Sequence, residues 1–114
     1  MTSSPITTHV LDTHLGRPAA DKPVTLYRKV DQDWVEIASG RTNADGRITD
    51  WLAGQQREVG IYRILFDTDA YFEAQGQTCF YPSVNFDFRI EHADEHYHVP
   101  LLVSAYGIST YRGS

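Results

Sequence analysis

The side chains here best suited to chemistry are histidines. His9 lies in "ITTHVLD", and His96 and His98 lie in "HYHVPLLV". Imidazole titrates near neutrality, and an apolar surround can hold it neutral, ready to take a proton from water. His9 and His98 therefore form a candidate acid/base pair. The "HYH" spacing also puts two imidazoles on one strand face, and His9 would add a third nitrogen ligand for zinc. That alternative needs all three rings around one point, and the sequence does not fix the distance between the two strands. A solvated histidine with no role is the bland reading of each one taken alone. Arg47 follows the turn "NADG". It reads either as a solvated hairpin arginine or as a rigid donor fork for a planar, oxygen-rich substrate. Cys79 has no histidine near it in sequence and no activating helix end, so it reads as a small buried hydrophobe. His14, beside "LGRP", and His92, in "EHADEH", read as solvent-facing and stay outside the site.

The elements that must position these groups are strands. Eight stretches carry alternating or β-branched residues: "ITTHVLD", "PVTLYRKV", "WVEIAS", "GRITDW", "VGIYRILFDT", "VNFDFRIE", "HYHVPLLVS" and "GISTYRG". Turn signals separate them at "LGRP", "VDQD", "NADG", "AGQQ" and "HADE". Such a series predicts an all-β sandwich or barrel. One segment, residues 67–76 ("DTDAYFEAQG"), has an N-cap aspartate, helix formers and a closing glycine, and predicts a single short helix.

Strand alternation then sorts core from surface. In "HYHVPLLV", Tyr97, Val99, Leu101 and Val103 share an unbroken apolar face, which must be the core. His96, His98, Pro100 and Leu102 face the other way. In "ITTHVLD" the split is weaker, with Ile6, Thr8 and Val10 on one face and Thr7, His9 and Leu11 on the other; Val10 is assigned inward and His9 outward. The outer surface so assembled is too apolar to face only water, and something is expected to cover it.

Composition sets the outer bounds. A chain of 114 residues with 41% hydrophobic residues, seven Tyr, five Phe and two Trp fits one domain, residues 1–114, with a single core. A net charge of −5 without a basic run argues against nucleic acid. No stretch approaches the roughly 20 apolar residues of a membrane span, and no targeting signal is evident, so a cytoplasmic location is expected. The single cysteine excludes an internal disulfide and fits a reducing compartment.

Three segments carry a specific resemblance: "ITTHVLDTHLGRPA", "TNADGRITDW" and "YHVPLLVSAYGISTYRGS". Together they resemble the 5-hydroxyisourate hydrolase family, the transthyretin-like enzymes of urate breakdown, over essentially the whole chain. The terminal "YRGS" is that family's signature. The resemblance implies a transthyretin-like two-sheet β-sandwich of eight strands with one short helix, assembled as a homotetramer with active sites at the subunit interface. It implies hydrolytic opening of the cyclic amide of 5-hydroxyisourate, without metal or organic cofactor. It also implies a site made of His9, Arg47, His98, Tyr111, Arg112, Gly113 and Ser114. In that set one histidine is base and the other orients it or shuttles the proton. Arg47 polarises a substrate oxygen, Ser114 holds water or substrate, and Tyr111 to Gly113 form the wall. Two other readings are a small-ligand carrier like transthyretin and a structural sandwich whose histidines are incidental. Neither has a use for paired histidines together with "YRGS".

Overall fold

Each of the eight predicted stretches contains a strand, and they pack as two sheets. The computed structural model describes residues 6–51 and 58–113. Ser114 and the expected turn "AGQQ" lie outside those residues. In chain order the elements are β1 (Ile6–Asp12), β2 (Arg17–Pro18), β3 (Pro23–Val30), β4 (Asp33–Arg41), β5 (Arg47–Ile48), β6 (Gly60–Phe66), α1 (Thr68–Glu73), β7 (Val84–Ile90), β8 (Tyr97–Val103) and β9 (Ile108–Thr110). The addition to the expected set is β2, inside the segment read as the turn "LGRP". The Asp12 carboxylate accepts the His14 and Leu15 N–H groups at 3.0 Å each, and Gly16 sits at φ 68°. The reversal is therefore complete by Gly16, which returns Arg17 and Pro18 to pair with Asp12 and Leu11.

One sheet has the order β2-β1-β8-β9, with β5 also paired to β1; the other has the order β4-β3-β6-β7. Strands β1 and β8 run parallel in unbroken register from Ile6 opposite Tyr97 to Asp12 opposite Val103. Their inward residues Ile6, Val10, Leu101 and Val103 are fully buried against Leu26, Ile64 and Phe66 of the facing sheet. Burying each such side chain contributes about 1.5–3 kcal/mol, which pins the register, since a one-residue slip would turn the whole set outward.

Helix α1 is shorter than its sequence signal. Asp67 caps it, its carboxylate accepting the Ala70 N–H at 2.9 Å. Gly76, at φ 71°, lets the N–H groups of Gly76 and Gln77 fold back onto the carbonyls of Glu73 and Phe72. The Tyr71 hydroxyl donates to the buried Asp12 carboxylate at 2.7 Å and so ties the helix to the end of β1. The Lys22 ammonium is buried near the same place, over the Tyr71 ring at 5.0 Å, and burial pushes its pKa down to about 8.

Candidate active site

Strands β5, β1 and β8 lie side by side, and their outer face collects the predicted groups. Register places His9 opposite Arg47 across the β1–β5 ladder and Thr7 opposite His98 across the β1–β8 ladder. Thr7 and His9 are two residues apart, so both project from the same face. The His9 and His98 rings stand with centroids 6.5 Å apart and planes tilted by 34°. Both imidazoles are half-buried, and Leu11 and Leu102 flank them in the same state.

Arg47 reaches this face because of the turn before it. The Asn43 side-chain oxygen accepts the N–H groups of Asp45 and Arg47 at 2.9 and 3.0 Å, and its backbone exchanges bonds with Gly46 and Arg47. Gly46 at φ 74° then lays its carbonyl on the Val10 N–H at 2.7 Å. A Cβ there would stand 2.4 Å from the Val10 oxygen, so this close approach requires glycine. The dipeptide "DG" thus docks β5 on β1 and sets Arg47 beside His9.

The electrostatics favour neutral imidazoles. His9 is held below the ordinary histidine range, first by burial and then by the Arg47 guanidinium. His98 is held down by burial, then by Arg47, His9 and His96. Two neutral rings beside a permanent cation can accept protons from water and steady a developing oxyanion.

Thr7 is a member of this cluster that the sequence reading left out. Its hydroxyl lies 2.8 Å from Nδ1 of His98 and 2.9 Å from Nε2 of His96. Its outward alternation with His9 was the available signal, but a threonine in a strand carries no mark of function. His96 and His98 both face this hydroxyl rather than a shared centre. Among the described residues no group of three His, Cys, Asp or Glu side chains could hold a metal ion.

The tail runs past the same residues. The Gly113 N–H donates to the His98 carbonyl at 2.9 Å, extending the ladder beyond β9. Arg112 stacks on the Tyr97 ring at 4.4 Å and pairs with Glu95 at 3.3 Å, so its charge orders the tail. Tyr111 is exposed. A groove of about 490 Å³ reaches His98, Tyr111 and Arg112 but neither His9 nor Arg47, which stand on the open face. His14 and His92 are exposed and Cys79 is buried, as their settings predicted.

Gly113 leaves no room for a side chain. A Cβ on it would stand 2.5 Å from Cδ2 of His98. Gly113→Ala is expected to displace the His98 ring and lower turnover by at least the ~100-fold that a misplacement of about 1 Å can cost, with an unchanged circular dichroism spectrum. Native turnover in that variant would separate the tail from the position of His98.

Comparison with known proteins adds a lineage to this geometry. Residues 6–113 match the model of the HIUase/Transthyretin family. The chain is 44% identical over 114 residues to a 5-hydroxyisourate hydrolase of Mus musculus, covering 98% of this chain and 97% of that protein. It is 44% identical over 115 residues to one of Caulobacter vibrioides, covering 97% and 99%. Among solved structures, the fold is similar to Klebsiella pneumoniae 5-hydroxyisourate hydrolase, with a TM-score of 0.84 and 34% identity over 100% of both chains. It is also similar to sea bream transthyretin in complex with thyroxine, with a TM-score of 0.89 and 34% identity over 96% of this chain and 94% of that one.

Proposed function

The chain belongs to the HIUase/Transthyretin family, and from that membership we infer that it is a 5-hydroxyisourate hydrolase working through His9, Arg47 and His98. The observation that carries the assignment of residues is the approach of the His9 and His98 imidazoles to 6.5 Å beside the Arg47 strand, on a face turned away from the core. The reaction opens the cyclic amide of 5-hydroxyisourate to 2-oxo-4-hydroxy-4-carboxy-5-ureidoimidazoline, one step in urate degradation. An imidazole takes a proton from water as the water oxygen bonds to the amide carbon. The carbonyl oxygen gathers negative charge, which the Arg47 guanidinium stabilises. The carbon–nitrogen bond then breaks, the proton passes from the imidazole to the leaving nitrogen, and the new carboxyl group ionises. Ser114 holds water or substrate in this scheme, and Tyr111, Arg112 and Gly113 form the wall.

A homotetramer fits the same face. His9, Arg47 and the half-buried Leu11 and Leu102 lie on one face of the subunit, and the groove that reaches His98 includes none of them. A second copy laid against them would exclude water and strengthen each charge interaction. The direct test adds the protein to freshly made 5-hydroxyisourate and follows its ultraviolet decay. Acceleration in proportion to enzyme supports the hydrolase. Binding without acceleration supports the carrier reading that the likeness to transthyretin keeps in view.

Arg47 separates the contribution of shape from that of charge. Arg47→Lys keeps a cation but loses the planar fork, and is expected to lose most of kcat/KM. Arg47→Gln also removes the charge that depresses both histidines, so their pKa values rise. The base is then protonated at a higher pH, and the acidic limb of the pH–rate profile moves upward. Near-native kinetics for Arg47→Lys, or an unmoved limb for Arg47→Gln, would return Arg47 to a solvated turn residue.

A further inference from the structure

We propose that Thr7 and His96 are positioning residues for this reaction, holding the His98 imidazole with its proton on Nδ1 and its Nε2 bare toward the open face. The proposal rests on the reading of His98 as a catalytic imidazole. It deepens that reading by naming what selects the tautomer of the ring.

The geometry leaves two arrangements. A threonine hydroxyl has one hydrogen, and here its oxygen touches two ring nitrogens, Nδ1 of His98 at 2.8 Å and Nε2 of His96 at 2.9 Å. It donates to one and must accept an N–H from the other, because two facing lone pairs repel. If Thr7 donates to His98, the proton of neutral His98 moves to Nε2 and the ring cannot act as a base on the open side. If Thr7 donates to His96, His98 carries its proton on Nδ1 and Nε2 is bare. Nδ1 is closed off against Thr7, and Nε2 has no hydrogen-bond partner among the described residues. Only the second arrangement leaves a nitrogen able to take the proton of water.

The placement of the two helpers suits this task. Thr7 is 3% exposed, and its branched Cβ restricts the hydroxyl, so the bridge does not compete with bulk water. His96 is exposed, so a proton on its Nδ1 is solvated while its Nε2 accepts from Thr7. The bridge also makes the tautomer of His98 depend on the charge of His96. Protonated His96 brings an N–H to Thr7, which must then turn its hydrogen to His98 and remove the bare nitrogen from the open side. The charged and titratable neighbours of this chain are Arg47 and His9 across the sheet and the Glu95–Arg112 pair beside His96, where Arg112 donates to the His96 carbonyl at 3.4 Å.

The test uses the full chain with four single variants at the bridge, Thr7→Val, Thr7→Ser, His96→Leu and His96→Gln, together with the double variant Thr7→Val/His96→Leu and the control His98→Asn. Three readouts apply: kcat and KM for 5-hydroxyisourate, the pH–rate profile, and the His98 tautomer from nitrogen-15 chemical shifts. Thr7→Val and His96→Leu are each expected to lower kcat by about 10–100-fold, the range seen when the hydrogen-bonded partners of metal-bound histidines are removed, with KM little changed. His96→Leu should move the His98 proton to Nε2. Thr7→Ser restores the hydroxyl and should recover most of the loss. His96→Gln offers a carbonyl acceptor in place of the ring nitrogen, so it should keep activity. The two losses share one path, so the double variant should lose less than their product. Native kcat for His96→Leu would overturn the proposal even if Thr7→Val does not fold, because His96 is exposed. So would an Nε2-protonated His98 in the active wild-type protein. His98→Asn run in the same assay separates the two levels: native turnover there would remove the underlying reading, whereas loss there with native His96→Leu would remove only the bridge.

Discussion

Replacing His98 by asparagine is expected to cut turnover by about 10²–10⁴-fold, the range for lost acid/base catalysis, while the sandwich stays folded. The side chain is half-buried on the outer face, and the core is made by its neighbours Tyr97, Val99 and Leu101 on the opposite face. An asparagine amide can still meet the Thr7 hydroxyl, so the substitution removes the titrating ring with little loss of packing. His9→Asn is expected to behave in the same way, because His9 points outward from a strand whose inward residues are Ile6, Thr8 and Val10. Steady-state kinetics, circular dichroism and oligomer size together decide the matter. Near-native turnover would take that histidine out of the mechanism, and an unfolded variant would mean that its outer face supports the fold.

Deleting Tyr111 to Ser114 should nearly abolish hydrolysis while the sandwich still forms. The deletion removes the Gly113 bond to the His98 carbonyl and the Arg112 stack on Tyr97. It leaves β9, which ends at Thr110 and is held by the Thr110 hydroxyl on the Pro100 carbonyl at 2.7 Å. Leu101 and Val103, fully buried on the inward face of β8, keep their packing. Loss of ultraviolet decay activity with a retained cooperative thermal transition is the expected result. Full activity in the shortened chain would make the tail dispensable, and the site would rest on His9, Arg47 and His98 alone.

Much of this architecture was legible in the residues because alternation is a local property. Tyr97, Val99, Leu101 and Val103 occupy one parity of β8, so the outward direction of His98 follows without knowledge of any partner strand. The cap at Asp67, the stop at Gly76 and the turn "NADG" were legible for the same reason, since each is closed by bonds within a few residues. The motifs "ITTHVLD", "TNADGRITDW" and "YRGS" carried the lineage. Strand β2 was hidden in a turn, because its pairing depends on the Asp12 carboxylate closing the reversal after β1.

What tertiary structure alone decided is which faces meet. No rule of periodicity states that β1 lies parallel to β8, some ninety residues away, or that β5 closes on the other side of β1. Those pairings follow from burying both apolar faces at once against the second sheet. That shared burial brings His9 to 6.5 Å from His98, puts Arg47 beside His9 and sets the Thr7 hydroxyl between two imidazoles. The residue types were written along the chain, but a hydrogen bond between positions 7 and 98 exists only once the hydrophobic core has fixed the strands on which they stand.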